Sequence, residues 1–194
     1  MSHILMHRWR FFLSPPVHIY TQEYDEVRSP PRGGMLQESD VHENQPEILM
    51  PPHAFVPGFS PRHPPNLFDD IKSSVRPGMS VKQLQNTKAF LAGRLYFEGG
   101  FFWECHEVLE VIWRQTTDPS PERDLVLALI QLANARLKVL MLQPRAALRL
   151  CDMVETHLAR CPEDRAILGV QVGEMLSYLS EARLIARAAI LSPY

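Results

Sequence analysis

Phe101-Phe102-Trp103-Glu104-Cys105-His106-Glu107-Val108-Leu109-Glu110-Val111-Ile112-Trp113-Arg114 decides how this chain is read. At about 100° per residue, Phe101, Phe102, Cys105, Val108, Leu109 and Ile112 fall on one apolar arc. Trp103, His106, Glu107, Glu110 and Arg114 occupy the opposite arc, with Glu104, Val111 and Trp113 on its flanks. The spacing predicts a helix over 101–116. A purely solvated face rarely carries two indoles, because burying such rings is strongly favourable. Both faces are therefore expected to meet protein, and the Glu/His side reads as a polar site.

Working outward, Ser80 is an N-cap for a helix predicted to run to Glu98 and stop at Gly99-Gly100. Asp118-Pro119-Ser120-Pro121 reads as a turn, with Ser120 capping and Pro121 opening a third helix to about Leu142. Pro144 opens a fourth, ending near Arg160 before Pro162, and a fifth spans about 172–190. No strand alternation is present, and loops this short make consecutive helices antiparallel neighbours. The expected fold is all-α, an antiparallel bundle of about five helices with an irregular Pro-rich N-terminal arm. The third helix is apolar on nearly every side and should be central. Its exceptions, Asp124, Gln131, Asn134 and Lys138, fall within about 80° and form one narrow polar stripe. A buried stripe needs partners, so it is expected to face the signature helix, with Gln131 bonding Glu107 or Glu110.

The domain boundaries follow composition. Eleven of seventeen Pro and six of eight His lie before residue 71. Residues 1–50 lack periodicity and read as a disordered extension; Met35 and Met50 are later possible starts. Residues 51–77 are a Pro-rich arm whose Phe55, Val56 and Phe59 can anchor it on the helical domain, 78–194. Arg62 and His63 in that arm are expected to lie over the acids of the signature helix, with Arg62 approaching Glu104, Glu107 or Glu110. From Gly78 onward thirteen basic side chains balance thirteen acidic ones. That balance argues against a dedicated nucleic-acid binder. Arg136, Lys138, Arg145 and Arg149 cluster near the third-to-fourth helix turn, where they complement a helix C-terminus. Cys105, Cys151 and Cys161 cannot all pair and have no metal-type spacing, which points to free thiols in a cytoplasmic setting. No run approaches a membrane span, and Met1–Leu13 is a poor signal peptide.

Three chemistries compete for the polar cluster. His106 and Glu110, at i and i+4, could be two metal ligands, yet no second His stands where a zinc peptidase needs it. The repeated Glu-x-x-His of di-metal bundles is also absent. A structural cluster would pair the carboxylates with Arg114, Arg123, Lys138 or Arg62. A ligand or catalytic site would use clustered carboxylates to keep one as a general acid. Trp103 and Trp113 could stack a ligand or serve as wall and core.

Gly100 and Phe102 to Glu110 with Trp113 resemble the signature of the bacterial and archaeal domain-of-unknown-function family 309. Arg123-Asp124-Leu125, Leu129 to Ala133 and Ala146 to Leu150 are similar to its later helices, and Pro51 to Gly58 with Arg62-His63-Pro64 to the lead-in of some members. The resemblance spans roughly 51–190 and implies a helical fold and a site, but no activity. The polar cluster is accordingly taken as Trp103, Glu104, His106, Glu107, Glu110, Trp113, Arg123, Gln131, Asn134, Lys138, Arg62 and His63. His106, Glu107 and Glu110 are the catalytic candidates and His106 and Glu110 the metal candidates, with no cofactor expected. The favoured function is a non-enzymatic protein- or ligand-binding module, partnered by another protein or by itself, without membrane or nucleic acid. The alternative is a metal-dependent or carboxylate/His hydrolase acting through His106 and neighbouring Glu residues.

Overall fold

The computed structural model describes residues 47–191. The expected disorder of the extension and the reading of Met35 as a start concern residues outside the described ones. Among the described residues the secondary structure is helical, with one isolated bridge between Ile167 and Val170. The helices are α1 (Asp69–Ser73), α2 (Val81–Gln85), α3 (Lys88–Glu98), α4 (Phe102–Gln115), α5 (Pro121–Leu140), α6 (Pro144–Leu158) and α7 (Val172–Leu191). The all-α class is as read, but the described residues hold seven helices rather than about five.

Two local causes account for the difference. The helix expected over Ser80–Glu98 divides, because Thr87 turns extended and its hydroxyl caps α3 by accepting from the Phe90 N–H at 3.2 Å. Ser80 and Gln83 form a reciprocal capping box that starts the separate α2. The second cause is α1, which lies inside the stretch read as irregular arm. Asp69 and Asp70 sit in its first turn, where negative charge suits the helix dipole, and Ile71 is its buried residue.

Between α3 and α4 the chain reverses on a Schellman turn. The Phe101 N–H donates to the Tyr96 carbonyl, the Gly100 N–H to that of Phe97, and Gly100 takes φ +80°. Gly93 permits close approach of the same two helices, since a Cβ there would overlap the Leu109 side chain. Helix α5 is central, packing against α4, α6 and α7, while α1 lies against α3 and α4. Ten of its residues are buried. The apolar arc of α4 has the expected phase: Phe102, Cys105, Val108, Leu109 and Ile112 are all in the core.

Candidate functional site

Helix α4 carries its three acids to three different partners. Glu104, on the flank of the apolar arc, is wholly buried. Its Oε1 accepts from the Phe55 N–H at 2.6 Å and lies 2.6 Å from His63 Nε2, also buried. Glu107 takes Lys72 Nζ at 2.9 Å, and Glu110 takes Arg114 Nη2 at 2.6 Å one turn along its own helix. Around Glu104 stands an aromatic chamber. Phe55 meets Trp103 edge-on at 5.0 Å, and the His63 ring lies 4.5 Å from that of His53, 5.7 Å from Phe68 and 6.0 Å from Trp103. Glu104 Oε2 and His63 Nδ1 are buried without a hydrogen-bond partner among the described residues. Burial first, and then the charge of Glu104, push the Tyr96 hydroxyl up to about 12 and raise the adjacent Cys105 thiol as well.

His106 faces α5, as the polar stripe requires, but through Asn134 rather than Gln131. His106 Nδ1 donates to Asn134 Oδ1 at 2.9 Å, while Asn134 Nδ2 donates to Gln131 Oε1 at 3.4 Å. This chain sets the imidazole as the Nδ1–H tautomer, with Nε2 free of any protein partner among the described residues. The expected bond from Gln131 to Glu107 or Glu110 is not made: Gln131 is spent on Asn134, and those acids are held by cations. The stripe itself divides. At about 80° from Asn134, Asp124 faces α6 instead, 2.7 Å from His157 Nδ1 and 3.4 Å from Arg160. Among the described residues Lys138 reaches only the Met141 sulfur, at 3.8 Å.

Arg62 pairs with no acid among the described residues. Its Cζ sits 5.8 Å from the centroid of the Trp103 ring, and the imidazole next to it takes Glu104. A flat ring fits between Phe68, Trp103 and His53, whereas a guanidinium there would bury a full charge. Arg123 is likewise drawn elsewhere. It lies 4.4 Å over the Trp113 ring and donates to the carbonyls of Trp113 and Thr116 at 3.1 and 3.2 Å, tying off the end of α4. Thus Trp103, Glu104 and His63 form one group, His106, Asn134 and Gln131 a second, and Trp113 with Arg123 a third. Lys72, Tyr96 and His53 were not anticipated, and Phe55 was expected only as an apolar anchor of the strap. Lys72 and Tyr96 carry no motif, and the backbone N–H of Phe55 has no side-chain signature at all.

The basic cluster at the α5–α6 turn is divided too. Arg136 pairs with Glu181 at 3.0 Å and lies 5.1 Å from the Phe102 ring. Arg145 and Arg149 line an open cleft of about 460 Å³ with Val139, Leu142, Pro144 and Ile190, and no signature-helix residue reaches it. Among the described residues no three His, Cys, Asp or Glu side chains converge in a way that could hold a metal ion.

Fold and site together define an all-α bundle whose most acidic helix is sealed on one flank by an N-terminal strap. Residues 90–150, which run from α3 into α6, match the profile of the family described as Domain of unknown function (DUF309). The resemblance carried by Phe102 to Glu110 and Trp113 is thereby borne out over that segment, about a third of the chain. No curated protein and no solved structure matches the chain.

Proposed function

We propose that this chain is a non-enzymatic helical module that acts by binding another protein, a ligand or a second copy of itself. The observation that carries this reading is the pairing of every acid on α4 within the domain, with Glu104 wholly buried beneath Phe55 and His63. A catalytic carboxylate has to meet its substrate, and one sealed under its own chain does not. Three unpaired thiols support a cytoplasmic setting. No helix among the described residues is long and apolar enough to cross a membrane, and the charge balance of residues 78–194 speaks against a dedicated nucleic-acid binder.

One observation favours the alternative, a metal-dependent or carboxylate/His hydrolase. His106 is half-buried, held in one tautomer by Asn134, and keeps Nε2 free. Glu110, one turn on, is the neighbour that would complete a pair. Elemental analysis of the purified full chain separates the two readings. The module reading expects no stoichiometric transition metal and the same metal content after His106→Ala; one bound equivalent, lost in H106A, would reverse the ranking.

A further inference from the structure

Tyr96, Trp103 and Glu104 grip the segment 49–63 in the way a recognition groove grips a peptide. The Tyr96 hydroxyl donates to the Leu49 carbonyl, and Glu104 Oε1 accepts from the Phe55 N–H at 2.6 Å. Both contacts are to backbone, which any extended segment can offer. Selectivity comes from side chains: Phe55 stands edge-on to Trp103, and His63, eight residues later, reaches the same carboxylate. Main-chain bonds supplying attachment and a few side-chain pockets supplying choice are the recurring logic of peptide recognition.

The occupant makes few hydrogen bonds to the helices and is imperfectly matched. Three hydrogen bonds tie residues 47–63 to the helices, through Leu49, Phe55 and His63. The rest of its bonding is internal, as in Val56 with Ser60, Ser60 with Ala54, and His53 with Pro61. Two atoms at the centre of the grip, Glu104 Oε2 and His63 Nδ1, are buried without a partner among the described residues. An unsatisfied buried acceptor is costly, and more so on a carboxylate. A segment bringing a second donor to Oε2 would satisfy what the chain's own strap leaves unmet. The strap also lies outside residues 90–150, whereas Tyr96, Trp103 and Glu104 lie within them.

From these observations we infer that the Tyr96/Trp103/Glu104 groove is a peptide-binding site, held closed in cis by residues 49–63. Its partner is a segment of the same chemistry, turned as residues 56–60 are, with an aromatic residue whose amide meets Glu104 and a later imidazole. The inference rests on the module reading and names its site and partner class. Binding requires that the strap open without the bundle unfolding.

Native-state hydrogen exchange on the full chain tests the opening. The Phe55 amide should be protected at least ~100-fold less than that of Leu109, since local openings need not reach the global free energy. Equal protection of the two amides would overturn the inference. A labelled synthetic peptide copying residues 48–64 tests the groove. It should bind the His63→Ala chain at least ~10-fold more tightly than wild type, as a loosened cis occupant competes less, and lose that binding in H63A/E104Q. A folded H63A chain that does not bind the peptide would overturn the proposal; if H63A does not fold, the exchange result on wild type decides. Either failure removes the strap as a displaceable ligand. The module reading would fall only to a stoichiometric metal or a His106-dependent reaction.

Discussion

His63 Nε2 and Glu104 Oε1 lie 2.6 Å apart with both side chains buried, joining a Pro-rich strap to the centre of the signature helix across forty-one residues. The same oxygen holds the Phe55 N–H. One carboxylate thus fixes two points of a segment that has no regular structure of its own, and this pairing directs the rest of the site. It closes the chamber over Trp103 and leaves Arg62 outside, over the ring face.

Because Arg62 contacts a partly exposed ring and no acid among the described residues, replacing it with Ala should cost no more than ~0.5–1 kcal/mol. Chemical denaturation of R62A should therefore overlay wild type closely. A loss of several kcal/mol would mean that Arg62 reaches the buried acid in solution.

Gly93 and Leu109 occupy one contact between α3 and α4. Leu109→Ala should cost ~2–5 kcal/mol through lost transfer energy and the cavity left behind. Gly93→Ala should cost ~1–3 kcal/mol by overpacking. The double variant should be more stable than the sum of the two losses, because the cavity accepts the new methyl. Strict additivity in urea melts would show that the helices do not meet there.

Asn134 and Gln131 should differ sharply. Asn134→Ala leaves a half-buried imidazole without its acceptor and should cost ~1–3 kcal/mol, while Gln131→Ala, which bonds only Asn134, should cost under ~1 kcal/mol. The same denaturation series checks both, and the reverse order would place Gln131 on the acids after all.

The Tyr96 hydroxyl is raised by burial and by Glu104 from 10.0 to about 12, and the Cys105 thiol rises above its ordinary 9.0 for the same causes. Both folded-state values lie above the unfolded ones, so the unfolded chain loses its protons first. Their stabilising contribution is complete below pH 9, declines as pH passes 9 and then 10, and is lost as pH rises through the folded values. Stability should fall across that alkaline range, and the slope should be shallower in Y96F. An unchanged slope would place the hydroxyl in contact with solvent.

How much of this could be seen in the chain follows from range. The phase of α4 was legible because Phe102, Cys105, Leu109 and Ile112 repeat at helical spacing, and Ser120-Pro121 announced α5. The break at Thr87 was harder to see: apolar periodicity runs through it, and a capping hydroxyl looks like any other Thr in a helix. Within the site, the acids and His106 stood out as clustered residues on one helix. Of their partners, His63 was expected over these acids, but Lys72 and the Phe55 N–H were not, because the path of their segments is set by tertiary packing. Choosing Arg62 over His63 failed for a related reason. Charge favours the guanidinium at a surface, but burial among Phe68, Trp103 and His53 favours a flat ring that can be neutral.

The central claim is that Glu104 serves the fold, bound by the strap, rather than a reacting substrate. A double-mutant cycle on His63→Ala and Glu104→Gln, followed by equilibrium denaturation of all four full-length chains, measures it most directly. Removing one partner of a buried pair typically costs ~3–5 kcal/mol. Each single variant should therefore lose stability on that order, and the pair should show a coupling energy of at least ~1.5 kcal/mol. Near-neutral single variants with no measurable coupling would contradict the claim, and would return Glu104 to the residues free to meet a ligand.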